Sequence, residues 1–283
     1  MGGRITRRAG PVSHDMHVHD NAPGVLSPPV MSVRLARVSC RFRSLRTFLL
    51  KALLFFFVAS IALTALFRWV PVPFSALMVQ RQIASFWQEE KGKEFQLRYR
   101  WVGMGQISPH AALAVVAAED QKFLDHEGFD FNAMAKAWEY NQHHRKQRGA
   151  STVSQQVAKN LFLWPGRNFV RKGVEAYFTL LLETFWPKQR IMEVYLNIAE
   201  FGHGVFGIEA ASRAYFHKPA AKLNRAEAAI LAAILPSPLR SNAIQPSGYV
   251  QERAWHIQQQ MNRLGGTGYI KPLVVKAKKT KKG

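Results

Sequence analysis

An uncharged apolar segment, residues 52–67, is the feature that most constrains how this chain can fold. Lys51 and Arg68 flank it, and both side chains are long enough to extend their charged ends towards water. Roughly 17–25 residues cross the hydrocarbon core of a bilayer, so residues 49–70 are long enough for one transmembrane helix. No Ala-x-Ala-like cleavage site follows, and we therefore interpret the segment as an uncleaved anchor. A cleaved signal peptide or a buried helix is the alternative.

Basic residues lie on both sides of this segment. The formal net charge is +21, with five arginines between residues 34 and 46 and five lysines between residues 276 and 282. Neither zinc-finger spacing nor an aromatic RNA-binding signature accompanies them, so we predict no nucleic-acid partner. Basic residues beside an apolar segment instead indicate anionic membrane lipids. The arginine excess predicts that the N-terminal side is cytoplasmic and that the rest of the chain lies outside the cytoplasm.

The composition changes along the chain predict four parts. They are a disordered basic cytoplasmic tail (1–48), a transmembrane anchor (49–70), one folded domain (71–265) and a basic C-terminal tail (266–283). Met31 begins a more ordinary stretch and is an alternative start to Met1. The only cysteine, Cys40, precedes the anchor, which suits an oxidising compartment for the remainder.

The stretch from Glu119 to Asp130 carries the first candidate catalytic group. Ser108 and Pro109 match an N-cap and a first helical residue, and the apolar run after them places Glu119 in the last turn of a helix. The helix dipole and an apolar wall there would raise the pKa of the carboxyl. A raised carboxylate suits a general base near neutral pH. An acidic pair that closes a helix on a solvated surface is the alternative.

A polar stripe follows on another predicted helix, which the capping-box pattern of Thr152 and Gln155 begins. Thr152, Gln156 and Lys159 have the spacing of one helix face, with Gln155 and Asn160 beside it. The stripe contains amides, a hydroxyl and a cation but no acid. It therefore predicts an anionic or sugar ligand rather than an ordinary solvated face.

Three further patterns have structural explanations. Arg171 and Glu175 are spaced to pair along a helix. Residues 202–207 match the dinucleotide pattern G-x-G-x-x-G, but a helix rather than a strand precedes them. We interpret them as a close-packed turn and predict no dinucleotide. Residues 95–101 alternate apolar and polar side chains and predict a short strand.

Four motifs, taken in order, resemble the peptidoglycan glycosyltransferase domain, most closely that of the monofunctional biosynthetic peptidoglycan transglycosylases. They are Glu119–Asp130, Gly149–Asn160, Arg171–Glu175 and Lys188–Asn197. The resemblance covers roughly residues 95–242. It implies a mostly α-helical, lysozyme-like, bilobal glycosyltransferase domain behind a single N-terminal transmembrane helix.

The resemblance also implies an activity and a set of site residues. The protein would polymerise lipid II into β-1,4-linked glycan, with inversion and release of polyprenyl diphosphate, in cell wall biosynthesis. Glu119 would be the catalytic base and Glu175 a second catalytic carboxylate. The other site residues would bind substrate or support those that do: Asp120, Phe123, His126, Thr152, Gln155, Gln156, Lys159, Asn160, Arg171, Lys172, Glu193 and Asn197. Among them, Asp120, Phe123 and His126 would mainly shape the loop after Glu119.

The same resemblance implies the cofactor, partners and location. No cofactor is obligatory; Glu175 would either hold Arg171 and Lys159 in place or bind Mg²⁺ or Mn²⁺ at the pyrophosphate. The partners would be lipid II, lipid-linked glycan, inner-membrane lipids and other cell wall synthesis proteins. The location would be the bacterial inner membrane, with the catalytic domain in the periplasm. The sequence contains no Ser-x-x-Lys, so we expect no transpeptidase activity. A lysozyme-like lytic enzyme and a non-catalytic membrane scaffold are the alternatives.

Overall fold

Helices dominate the structure, a computed structural model that describes residues 30–87, 95–145, 147–166 and 168–274. The helices are α1 (Val30–Phe67), α2 (Ala76–Trp87), α3 (Pro109–Glu119), α4 (Phe131–His143), α5 (Val153–Phe162), α6 (Phe169–Phe185), α7 (Lys188–Ile198), α8 (Ile208–Phe216), α9 (Arg225–Ile234), α10 (Gly248–Arg263) and α11 (Lys271–Val274). The strands are β1 (Arg98–Tyr99), β2 (Glu200–Gly202) and β3 (Val205–Phe206). The predicted mostly helical class is confirmed.

The first helix contains the apolar segment. Its Ser44–Phe67 part has 24 residues and is long and apolar enough to cross a membrane. The prediction of disorder was wrong for residues 30–48, which are helical. No glycine or proline occurs between residues 30 and 70, so nothing in the sequence interrupts the helix. Residues 1–29, the rest of the predicted tail, lie outside the described residues.

The C-terminal part of α1 packs against the folded domain. The chain divides after Phe56 into two compact units, so the last turns of α1 belong to the second unit. Ser60 and Thr64 are buried there. The Ser60 hydroxyl lies 2.7 Å from the Tyr177 hydroxyl, and the Trp186 indole donates to the Thr64 carbonyl at 2.7 Å. The end of the predicted anchor is therefore fixed to α6 and to the residue that follows it.

The second unit contains two packed groups of helices. In one group, α3, α9 and α10 contact one another, and in the other α5 contacts α2, α6 and α7. Local capping explains several of the starts, since Ser108, Thr152 and Asn224 each accept a hydrogen bond from a backbone N–H of the first turn. Helix α3 is buried almost throughout.

A small three-stranded sheet follows the order β1-β3-β2, with β1 parallel and β2 antiparallel to β3. The strand predicted over residues 95–101 is confirmed at its centre. The glycine motif contains the close-packed turn that we expected, and it also contains β3, which we did not predict. Gly207 has φ +83°, and a Cβ there would lie 2.5 Å from the Asn197 carbonyl oxygen. Only glycine fits this close approach.

The folded domain extends beyond its predicted end at residue 265. Gly265 has φ +86° and ends α10, as the sequence indicates. The chain then continues through Ile270 and Leu273, which are fully buried. The prediction that the tail begins at residue 266 was therefore wrong, because these apolar side chains complete the core. Residues 275–283, with the terminal lysines, lie outside the described residues.

Candidate active site

Glu119 lies in the last turn of α3, as predicted. The Ser108 hydroxyl oxygen accepts from the His110 N–H, Pro109 is the first helical residue, and the helix ends at Glu119. Only 16% of the Glu119 side chain is exposed. Burial raises the pKa of this carboxyl above its ordinary value. The expectation of a raised pKa is met, and loss of solvation is its main cause.

Three polar side chains oppose that shift. Gln156 donates to one Glu119 carboxylate oxygen at 3.0 Å, and Arg253 donates to the other at 3.5 Å. Both favour the ionised carboxylate and lower its pKa, as does the charge of Lys159. Burial and these polar neighbours therefore act in opposite directions on the Glu119 pKa, a combination that is common at functional sites.

A hydrogen-bond relay fixes the orientation of Gln156. The buried Tyr195 hydroxyl donates to the Gln156 amide oxygen at 3.2 Å, which directs the amide N–H₂ towards Glu119. Burial, and the negative charges of Glu119 and Asp120, raise the Tyr195 pKa well above its usual value. Tyr195 is therefore a neutral phenol that can donate this bond.

A cleft of about 640 Å³ lies beside this relay. Its polar lining includes most of the predicted stripe and its cations: Gln156, Lys159, Asn160 and Arg171. Gln156 lines the cleft and also donates to Glu119, so the acid lies one hydrogen bond behind the cleft wall, although Glu119 itself is not a lining residue. The charges of Glu119 and Lys159 each affect the pKa of the other.

The cationic side of the cleft is organised by Glu175. Arg171 Nη1 lies 3.3 Å from one Glu175 oxygen, and Lys172 Nζ lies 2.5 Å from the other. The predicted pairing of Arg171 with Glu175 is therefore present. Partial burial lowers the Lys159 pKa, and the negative charge of Glu175 opposes that effect. Lys172 is 47% exposed and does not line the cleft.

The geometry of Glu175 does not fit a divalent cation. Both of its oxygens already contact a cation, so a metal ion would have to displace Lys172 and lie beside Arg171. Within the part of the chain that the structure describes, no three His, Cys, Asp or Glu side chains form a group that could hold a metal. Of the two roles that we considered for Glu175, holding the cations fits its contacts.

Thr152 and Gln155 do not reach the cleft, contrary to our expectation. They form a reciprocal capping box, and both are buried. The Thr152 hydroxyl also donates to the Gly128 carbonyl at 2.6 Å. Spacing along the sequence placed Thr152 on the polar face, but an N-cap residue lies outside the helix and its side chain turns back to the backbone.

Asp120, Phe123 and His126 build the loop behind Glu119. The His126 ring nitrogen Nε2 lies 2.9 Å from Asp120, while Nδ1 accepts from the Gly128 N–H. Asp120 also accepts from the Val153 N–H at 2.9 Å. These bonds tie the end of α3 to the start of α5, which brings Gln156 next to Glu119.

Glu193 and Asn197 support the fold from α7. Glu193 accepts from the Met104 N–H at 2.7 Å. Asn197 is fully buried and exchanges hydrogen bonds with both the N–H and the carbonyl of Val102, each at 2.9 Å. They therefore position the segment before α3, in line with the supporting role that we expected, and they do not line the cleft.

The structure adds residues that sequence reasoning missed. Arg253 reaches Glu119 from α10, a helix to which the sequence analysis assigned no site residue. Arg81 and Glu200 form an ion pair in the cleft wall, with a 2.8 Å separation. No local pattern marks these three residues, since each contact joins parts of the chain more than 100 positions apart.

Comparisons with known proteins identify the family of this chain. A family model described as Transglycosylase matches residues 88–262, which include all four motifs. A biosynthetic peptidoglycan transglycosylase of Klebsiella oxytoca is 53% identical over 237 residues, which are 83% of this chain and 97% of the relative. Proteins with the same name from Citrobacter koseri and Shigella boydii are 55% and 54% identical, covering 80% and 81% of this chain and 93% and 94% of the relatives. The chain therefore belongs to the transglycosylase family.

Proposed function

We propose that this protein is a peptidoglycan glycosyltransferase that polymerises lipid II into β-1,4-linked glycan during cell wall synthesis. The observation that carries the proposal is the position of Gln156. It contacts the acid Glu119 and lines the same cleft as the cations Lys159 and Arg171. Bond formation at a sugar and departure of a diphosphate need an acid–base group and fixed cations within one site.

Glu119 acts as the general base. Its carboxylate accepts the proton of the acceptor 4-hydroxyl while that oxygen attacks the anomeric carbon of the donor. The bond from that carbon to the diphosphate oxygen breaks, the configuration inverts, and the electron pair leaves with polyprenyl diphosphate. A positioned base contributes about 10²–10⁴ in rate. The raised pKa of Glu119 makes it a stronger proton acceptor than an exposed carboxylate.

Lys159 and Arg171 stabilise the leaving diphosphate. Negative charge grows on its oxygens as the glycosidic bond breaks, and fixed cations in a partly dry cleft stabilise such charge. Glu175 holds Arg171 at 3.3 Å and acts electrostatically on Lys159. It is therefore a positioning residue in this mechanism.

The anchor brings the cleft to its lipid-linked substrates. The apolar part of α1, Ser44–Phe67, is long and apolar enough to anchor the protein in a membrane. The arginine excess before it supports a cytoplasmic N-terminus, a periplasmic catalytic domain and a location in the bacterial inner membrane. Both substrates carry polyprenyl chains, so confinement to one membrane raises their effective concentration at the cleft. Membrane lipids and other cell wall synthesis proteins are further partners under this proposal.

A lytic, lysozyme-like enzyme fits these features less well. Such an enzyme also uses a carboxylic acid, but a glycan strand carries no diphosphate for Lys159 and Arg171 to hold. The names of the relatives describe biosynthetic enzymes.

Turnover of lipid II tests the proposal. The full-length wild type should form glycan polymer and release polyprenyl diphosphate, and Glu119→Gln should lose about 10²-fold or more in rate while retaining its melting temperature. Glu209→Gln is a matched control, because Glu209 is also buried and pairs with Arg213 away from the cleft. Shortening of added glycan would support lysis instead, and full activity of Glu119→Gln would reject Glu119 as the base.

A further inference from the structure

A buried carboxylate in the cleft wall has no place in the mechanism above. Glu200 begins β2, its side chain is only 5% exposed, and it lines the cleft together with Arg81 of α2. Arg81 donates twice to the same Glu200 oxygen, Oε2, at 3.1 and 2.8 Å. Both hydrogen bonds from the cation are therefore directed to one end of the carboxylate.

The other oxygen, Oε1, is buried and has no hydrogen-bond partner among the residues that the structure describes. An acceptor that is removed from water without a partner costs free energy, and buried carboxylate oxygens in native proteins are almost always paired. Burial raises the Glu200 pKa even though Arg81 lowers it. Because Glu200 lines the cleft, a ligand in the cleft can supply the donor that the described residues do not.

The chemistry of Oε1 selects the part of the substrate that it can bind. A carboxylate repels phosphate, and the cleft already has Lys159 and Arg171 for the diphosphate. A carboxylate accepts hydrogen bonds from hydroxyl and amide N–H groups. Such bonds are stronger than those to a neutral acceptor, because the acceptor is charged. In a lipid-linked N-acetylated glycan, the carbohydrate carries such donors, whereas the ionised diphosphate and the polyprenyl chain carry none.

We propose that Glu200, held by Arg81, forms a saccharide subsite in which Oε1 accepts a hydrogen bond from a hydroxyl or acetamido N–H of the substrate glycan. This inference rests on the proposed function and adds to the site a carboxylate that binds the sugar. The competing explanation is structural: the ion pair would only fasten α2 to β2.

Two ligands separate these explanations. Lipid II carries the carbohydrate, whereas undecaprenyl diphosphate carries the same lipid and diphosphate without sugar. Binding is measured with the full-length protein in detergent micelles, in a Glu119→Gln background so that turnover is strongly reduced. Glu200→Gln should weaken lipid II binding about tenfold, the loss of one hydrogen bond to a charged group. It should leave undecaprenyl diphosphate binding unchanged.

Glu209→Gln is again the matched control, because Glu209 is a buried glutamate paired with a half-exposed arginine. It should bind both ligands as the parent does. If Glu200→Gln lowers the melting temperature, Glu200→Asp replaces it, because that change keeps the charge and withdraws the oxygen by one methylene.

Two results would overturn the subsite. One is unchanged lipid II binding by the Glu200 variant. The other is an equal loss of affinity for both ligands in Glu200→Gln and in Arg81→Met. That result would mean that the ion pair only holds α2 against β2. Failure of the parent protein to bind lipid II would overturn the proposed function as well, and wild-type polymerisation measured in parallel distinguishes the two failures.

Discussion

Arg253 lies 3.5 Å from Glu119, although 134 positions separate the two residues in the sequence. The contact joins α10 to the end of α3 and places a cation beside the proposed base. Arg253 favours the ionised form of Glu119 and so lowers a pKa that burial raises.

Removing the charge of Arg253 should change the pH dependence of kcat/KM. In Arg253→Gln the Glu119 pKa rises further, so more of the base is protonated at a given pH. The acidic limb of kcat/KM should therefore move to higher pH, with the largest loss of rate at low pH and near-normal rates above the limb. Arg253→Lys keeps the charge and should shift the limb less. An unchanged profile in Arg253→Gln would mean that the contact has no electrostatic role.

The relay from Tyr195 through Gln156 to Glu119 should act as one unit. Gln156→Leu removes a hydrogen bond to a charged group and should lower kcat/KM roughly 10-fold to 100-fold. Tyr195→Phe leaves Gln156 in place but removes the bond that orients its amide, so its effect should be smaller. The double variant should lose less than the product of the two single losses, because the residues share one function. Independent, multiplicative losses would contradict the relay.

The two lysines near Glu175 should differ in importance. Lys159→Met removes a cation that lines the cleft and should lower kcat on the order of 10²-fold, the cost of losing one group that stabilises developing charge. Lys172→Met is the matched control, because Lys172 is a lysine that contacts Glu175 but lies outside the cleft lining. Its effect should be within a few-fold. Equal losses in both variants would place the diphosphate elsewhere.

The capping box at the start of α5 should matter for stability rather than chemistry. Thr152→Ala removes the cap acceptor and should cost about 1–2 kcal/mol of unfolding free energy. Activity per folded molecule should remain near that of the wild type, because Thr152 is buried and bonded to Gln155 and Gly128. Thermal unfolding and lipid II turnover on the same samples check both parts. A large loss of kcat without loss of stability would restore the binding role that the sequence suggested.

The parts of the site that sequence reasoning predicted are those that depend on local structure. The position of Glu119 follows from a cap, a proline and an apolar run within one helix, and the Arg171–Glu175 pair follows from helical spacing. Thr152 shows the limit of that approach. It has the right spacing for the polar face, but the cap that starts the helix uses its side chain.

Contacts between segments that are distant in the sequence could not be predicted from the sequence alone. Arg253 is a basic residue on an amphipathic helix, and nothing in its neighbourhood distinguishes it from a solvated side chain. Glu200 follows a helix and precedes a glycine-rich turn, and its partner Arg81 lies 119 positions earlier. Both depend on how α2, α3, α10 and the small sheet pack together, which the pattern of a single sequence does not specify.

The attachment of Ser60 and Thr64 to Tyr177 and Trp186 has a mechanical consequence. The last turns of α1 belong to the same compact unit as the cleft, and these two hydrogen bonds hold them to α6 and to Trp186. Those turns are therefore part of the framework of the enzyme domain, so a truncation that removes them would take packing from the domain as well as from the apolar helix.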